Sequence, residues 1–154
     1  MRESMGLYRG IVEEDHPQKG KFAKGHLWVT EEGLAYILTW QGDIECGRLI
    51  SEAFKVDPAT VGQYTGLKDK KGVKIFEGDV VKISEVLEAL DFITDIYFDD
   101  SGFRYRHADG SGSILPRHTK KVKGYEGVTV DMEVIGNIHS DGHLLDKPEL
   151  LETK

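Results

Sequence analysis

Apolar residues along this chain recur at every second position in short runs, and glycine, aspartate or proline ends most of the runs. Alternation of that period predicts β-strands, because successive side chains of an extended backbone point to opposite faces. Residues 7–12 read as a first strand, followed by a polar loop broken by Pro17 and Gly20. Residues 26–30 and 34–40 read as two more, joined by Glu31-Glu32-Gly33, where Gly33 can take the positive φ of a tight connection. Residues 44–56 fit two patterns. Leu49, Ala53 and Val56 fall on one helical face, and the same stretch equally fits a strand and a turn.

The segment 63–83, QYTGLKDKKGVKIFEGDVVKI, predicts the structural hairpin core. Asp69 can accept backbone N–H bonds inside a charged turn that ends on Gly72, and Gly78 serves a second reversal before a strand at 80–83. Within 84–90, Val86, Leu87 and Leu90 stand at helical spacing, which predicts a turn or two of helix. Residues 92–98 alternate again, with Phe92, Thr94, Ile96 and Phe98 on one face; Asp99-Asp100-Ser101-Gly102 turns the chain into a returning strand at 103–107. Residues 128–138 alternate, and 147–151 start a short helix with Pro148 at a tolerated first-turn position. The fold class that follows is mostly β (α+β): antiparallel hairpins forming a small open barrel or packed sheets, with one or two short helices.

Composition narrows the setting. The length, 154 residues, fits a single domain, with 1–60 as a candidate N-terminal lobe and 61–154 as the β core. The lone cysteine, Cys46, excludes an internal disulfide and any metal-type cysteine spacing. The first residues lack the apolar core of a signal peptide, and no apolar run is long enough to span a bilayer. The expectation is a soluble, cytoplasmic protein with no membrane partner. Net charge is −7, which disfavours non-specific nucleic-acid binding, yet residues 104–123 hold Arg104, Arg106, Arg117, Lys120, Lys121 and Lys123 against Asp109 alone.

Several stretches then point to a family. Tyr8-Arg9-Gly10, Gly25-His26-Leu27 and Val56-Asp57-Pro58-Ala59-Thr60-Val61 are followed in order by QYTGLKDKKG and IFEGDVV. Glu133-Val134-Ile135-Gly136-Asn137-Ile138 and Pro148-Glu149-Leu150-Leu151 come near the end. This pattern resembles the YopX-like proteins encoded by bacteriophages and prophages. The inserted stretches SEVLEALDF and HSDGHLLDK depart from the family pattern and are expected to lengthen loops. What the resemblance implies is a β-rich fold in a bacterial host cell. It brings no activity, catalytic residue or cofactor.

The residues themselves offer little catalysis. LKDKKG lacks the GxxxxGK[ST] phosphate-loop pattern, and no helix pattern follows it to present an anion-binding N-terminus. Glu77 and Asp79 flank a glycine at a turn, where carboxylates commonly bond to local N–H groups. His139 and His143 carry metal-ligand chemistry around Asp141, but in a glycine-containing loop nothing would hold both rings on one face. Cys46 beside Arg48 has no evident catalytic partner, and no GxSxG elbow occurs. His107 and His118 stand among the cations.

The expectation is therefore a non-enzyme without cofactor or metal, acting by self-association or by binding a phage or host protein. The alternative is a small nucleic-acid-binding β domain that uses the basic patch at 104–123. Aromatic side chains beside cations make stacking surfaces for single strands, but alternation sets Phe103 and Tyr105 on one face and Arg104 and Arg106 on the other.

Overall fold

The alternating runs of the first half become four antiparallel strands: β1 (Tyr8–Ile11), β2 (Phe22–Val29), β3 (Ala35–Asp43) and β4 (Arg48–Val56). They belong to a computed structural model that describes residues 7–13, 15–43, 48–85, 91–107, 110–116 and 130–146. The backbone gathers into two compact units, Met1–Tyr64 and Thr65–Lys154.

In the first unit the strands lie in the order β4-β3-β2-β1. Leu27 stands opposite Ile37 and Ala35 opposite Val56, so all four point to one side, where Val12 and Ala23 complete the core. The sheet curls until β4 reaches β1. There Val12 bridges Val56, the Glu13 N–H donates to the Lys55 carbonyl at 3.0 Å, and the Asp57 N–H donates to the Ile11 carbonyl at 2.9 Å. This contact is a single bridge rather than a ladder along the strand, so the unit is a curled, packed sheet and not a closed barrel. The ambiguous stretch 48–56 is thus a strand. A helix there would forfeit the whole β3 ladder, which runs from Ala35–Val56 to Asp43–Arg48.

Two glycines permit the curl. A Cβ on Gly10 would sit 2.7 Å from Val56 Cγ2, and one on Gly25 would run into the Leu38 carbonyl oxygen. Beyond β4, Asp57 caps a 3-10 turn, Pro58–Thr60, by accepting the Ala59 N–H at 3.0 Å. The Thr60 hydroxyl accepts the Ile11 N–H at 2.8 Å and donates to the Asp57 carbonyl at 2.7 Å, which fastens that turn to β1.

The chain enters the second unit along β5 (Gly62–Lys68) and continues through β6 (Lys74–Phe76), β7 (Asp79–Glu85), β8 (Asp91–Asp99), β9 (Gly102–Arg106), β10 (Gly112–Ile114) and β11 (Val130–Asn137). The last five form an antiparallel sheet in the order β10-β9-β8-β7-β11. Alternation aims Val81, Ile83, Ile96, Tyr105, Val130 and Met132 at one face, where Ile75 of β6 joins them in the core. Each such fully buried aliphatic side chain stabilises the fold by about 1.5–3 kcal/mol. Val80, of opposite parity, is also fully buried.

Two expectations change here. Ser84 does not begin a helix: it lies in β7, paired with Asp91 and Asp131 on either side, while 86–90 fall outside the described residues. The inserted HSDGH stretch is not a loop either. It forms a short helix, α1 (Ile138–Asp141), and a 3-10 turn, Gly142–Asp146, lying against β7 and β8. The Asn137 side chain caps it by accepting the His139 and Ser140 N–H groups, each at 3.0 Å. The C-terminal helix start at 147–151 lies outside the described residues.

The close approach at Gly25 gives a direct test. Gly25→Ala is expected to destabilise the fold by about 1–3 kcal/mol in denaturant unfolding, as overpacking does. Gly33→Ala, at φ 85° with open space around it, should lose only about 1 kcal/mol of left-handed strain.

Candidate functional site

The central turn is the most densely bonded polar feature. Asp69 is 5% exposed, and its Oδ1 accepts the Lys71 N–H at 2.8 Å and the Val73 N–H at 2.9 Å. Its Oδ2 accepts the Val134 N–H at 3.0 Å, from a strand 65 residues further on. That bond falls where the β11 register shifts between Val134 and Gly136, so the carboxylate satisfies a donor at the irregularity. Outside this knot, Lys70 and Lys71 both pair with Glu133. The hydrogen bond from Lys71 is the main cause that holds the Glu133 carboxyl below its ordinary range. Every part of the turn holds the backbone together. Nothing in it is arranged to cradle an anion.

The second carboxylate candidate behaves in the same way. Asp79 is 1% exposed and its Oδ2 accepts the Phe76 N–H at 2.8 Å, closing the reversal through Gly78 at φ 87°. Asp141 likewise turns back on its own strand end: its Oδ2 accepts the Asn137 N–H at 3.2 Å. Among the described residues no group of three or more His, Cys, Asp or Glu could hold a metal ion. Cys46 lies outside the described residues.

Of the basic patch, Arg104 and Arg106 are described, whereas Arg117, Lys120, Lys121 and Lys123 lie outside, as does His118. Alternation acts as expected on β9. Tyr105 points into the core, Phe103 meets Phe98 edge-on at 5.0 Å, and the arginines take the opposite face. There each is engaged. Arg104 pairs with Asp99 at 3.5 Å and donates to the Ser101 hydroxyl and to the Gly112 carbonyl; Arg106 donates to Asp95 at 3.2 Å and stacks over Tyr97 at 4.0 Å. The Ser101 hydroxyl, then its N–H, hold the Asp99 carboxyl low. His107 does not join a cationic surface. Its ring packs between Phe92 and Tyr105, with Nε2 2.6 Å from the Ser113 hydroxyl.

A different surface stands out in the first unit, one that the alternation alone could have flagged. Leu27 faces the core, so Trp28 must face away, and it stands opposite Tyr36 with ring centroids 5.4 Å apart. Trp28 is 53% exposed. Tyr36 also walls a cleft of about 710 Å³ whose lining includes Ile11, Ala53, Glu13, Asp15 and Asp57.

Comparison with known proteins turns on one match: the YopX protein family, over residues 18–146. The chain belongs to the YopX family. Tyr8-Arg9-Gly10 and Pro148-Glu149-Leu150-Leu151 fall outside the matched span. The crystal structure of protein yopX from Bacillus subtilis is similar at TM-score 0.54 and 17% identity, covering 94% of this chain and 99% of that one. That of EF1440 from Enterococcus faecalis is similar at TM-score 0.51 and 20% identity, covering 90% and 96%. At such identities the likeness is one of fold, and it agrees with packed antiparallel sheets. No curated protein matches the chain. Among the described residues no helix is long and apolar enough to cross a membrane.

Two measurements separate the inner and outer parts of this YopX-family turn. Asp69→Asn is expected to lower unfolding stability by about 3 kcal/mol, because buried N–H donors lose a charged acceptor. Lys71→Ala should leave stability close to wild type, because an exposed ion pair is screened by solvent. Because the folded Glu133 carboxyl lies below its ordinary value, its stabilisation is complete above the ordinary carboxylate range and is lost as pH falls through the folded value. A melting series in Glu133→Gln should therefore show a shallower acid limb than wild type.

Proposed function

We propose that this is a non-enzymatic, phage- or prophage-encoded accessory protein of the bacterial cytoplasm that acts by contact with protein chains, copies of itself among them. One contrast supports this reading. The side chains with chemical potential, Asp69, Asp79, Asp141, Arg104, Arg106 and His107, are all bonded within the fold. Aromatic pairs meanwhile face outward on each unit. On the second, Phe98 continues the core face of β8 past its cover, 54% exposed beside Phe103. On the first, Trp28 pairs with Tyr36. Aromatic side chains concentrate at the centres of protein interfaces, where a large rigid surface is buried at small entropic loss.

The nucleic-acid reading draws no support from the described part of the patch, since Arg104 and Arg106 already face Asp99 and Asp95. Phage origin is what the family resemblance implies, and cytoplasmic location is the expectation from the lone cysteine and the N-terminal sequence. They add the setting in which a partner would be met.

Light scattering over a concentration series tests the proposal. Wild-type mass is expected to rise above the 17.3 kDa of one chain, and Phe98→Glu to depress that rise without lowering the melting temperature by more than a few degrees. A mass that stays monomeric at high concentration, with no protein retained on the immobilised chain from infected cells, would refute it.

A further inference from the structure

The cleft of the first unit combines a shape, an aromatic wall and a charge that together select a partner. Its apolar lining comes from Ile11, Val12 and Ala53, and Tyr36 adds an aromatic ring. The volume, about 710 Å³, lies in the range of sites that enclose a small ligand or a side chain with its backbone. The lining also carries Glu13, Asp15 and Asp57 together with Lys19, Lys55 and His16, the last of which faces Glu52 at 3.6 Å. These charges do not cancel. Lys55 is held by Glu13 at 3.2 Å, and Lys19 has a partner of its own. Among the described residues neither Asp15 nor Asp57 forms an ion pair, and Asp57 gives only Oδ1 to the Ala59 cap. The unit around them has seven Lys/Arg against ten Asp/Glu between residues 1 and 64.

We infer that this cleft receives an arginine side chain from a flexible segment of a partner protein. The inference rests on the protein-contact reading above and supplies the partner's chemistry. A guanidinium is planar, stacks on an aromatic face and donates two parallel hydrogen bonds to a carboxylate. Tyr36 offers the face, and Asp57 and Asp15 offer the acceptors. Lysine would keep only the charge, and an anionic or nucleic-acid ligand would meet the two unpaired carboxylates.

The test is fluorescence polarisation of a labelled peptide of alternating glycine and arginine, against the same peptide with citrulline at each arginine. Citrulline keeps the shape and removes the charge. The arginine peptide is expected to bind, and citrulline to weaken binding about tenfold or more, the loss of one charge-assisted contact. Asp15→Asn with Asp57→Asn should weaken it similarly, while asparagine preserves the cap at 57. Glu31→Gln with Glu32→Gln removes equal charge from the β2–β3 turn, outside the lining of the cleft, and should change affinity by less than about threefold, as a solvent-screened charge that does not touch the ligand does. Three results overturn the inference: no binding of the arginine peptide, equal binding of both peptides, or equal losses in the two double variants. Concentration-dependent mass in light scattering is independent of all three, so the cleft can fail while the protein-contact reading stands.

Discussion

A carboxylate buried in a β protein must be matched with donors, and Asp69 meets that demand by joining two distant segments. Removing the charge from water is unfavourable unless hydrogen bonds replace the lost hydration. Two of its N–H partners come from its own turn and the third from Val134 on β11. The turn and the strand irregularity thus complete each other. β11 in turn pairs with β7 along its length, and the core residues Val130 and Met132 depend on that register. A slip by one residue would turn both toward the opposite face.

The first unit answers a different constraint with smaller parts. Its core is limited, so the sheet must curl tightly to enclose Ile37 and Val56, and Gly10 and Gly25 leave room for that approach. Thr60 secures the closure by hydrogen bonding to both Ile11 and Asp57. Gly25, Val56, Asp57 and Thr60 fall in stretches that carry the family likeness, inside the matched span. What that likeness records is largely backbone geometry, which explains how it identifies a fold without conveying an activity.

The proposed protein contact accordingly draws on the surfaces between the motifs rather than on the motifs. The polar groups that look catalytic in isolation serve as acceptors for turns, caps and neighbouring strands. The arginines of β9 gained acidic partners because Asp95 and Asp99 lie on the adjacent strand at the same face. Trp28 reaches solvent because strand parity turns it away from the core, and Phe98 because it stands on the core face of β8 beyond the packed region. Binding through such side chains requires no group to change its protonation or bonding within the fold.

Local chemistry in the sequence determined the hairpins at Gly33, Gly72 and Gly102, the period-two strands and the mostly β class. Each of these depends on residues within a few positions of one another. It also determined that Phe103 and Tyr105 would oppose Arg104 and Arg106, since strand parity needs no knowledge of neighbours. Tertiary structure alone decided that 48–56 would be a strand, because β3 supplies its hydrogen bonds. It also decided that HSDGH would be helical against β7 and β8, although Asn137 before it was a readable cap. The partners of Arg104, Arg106 and His107, and the cleft beside Tyr36, likewise had to wait for it. Pairing and enclosure are relations between segments far apart in the chain, and spacing along the sequence does not encode them.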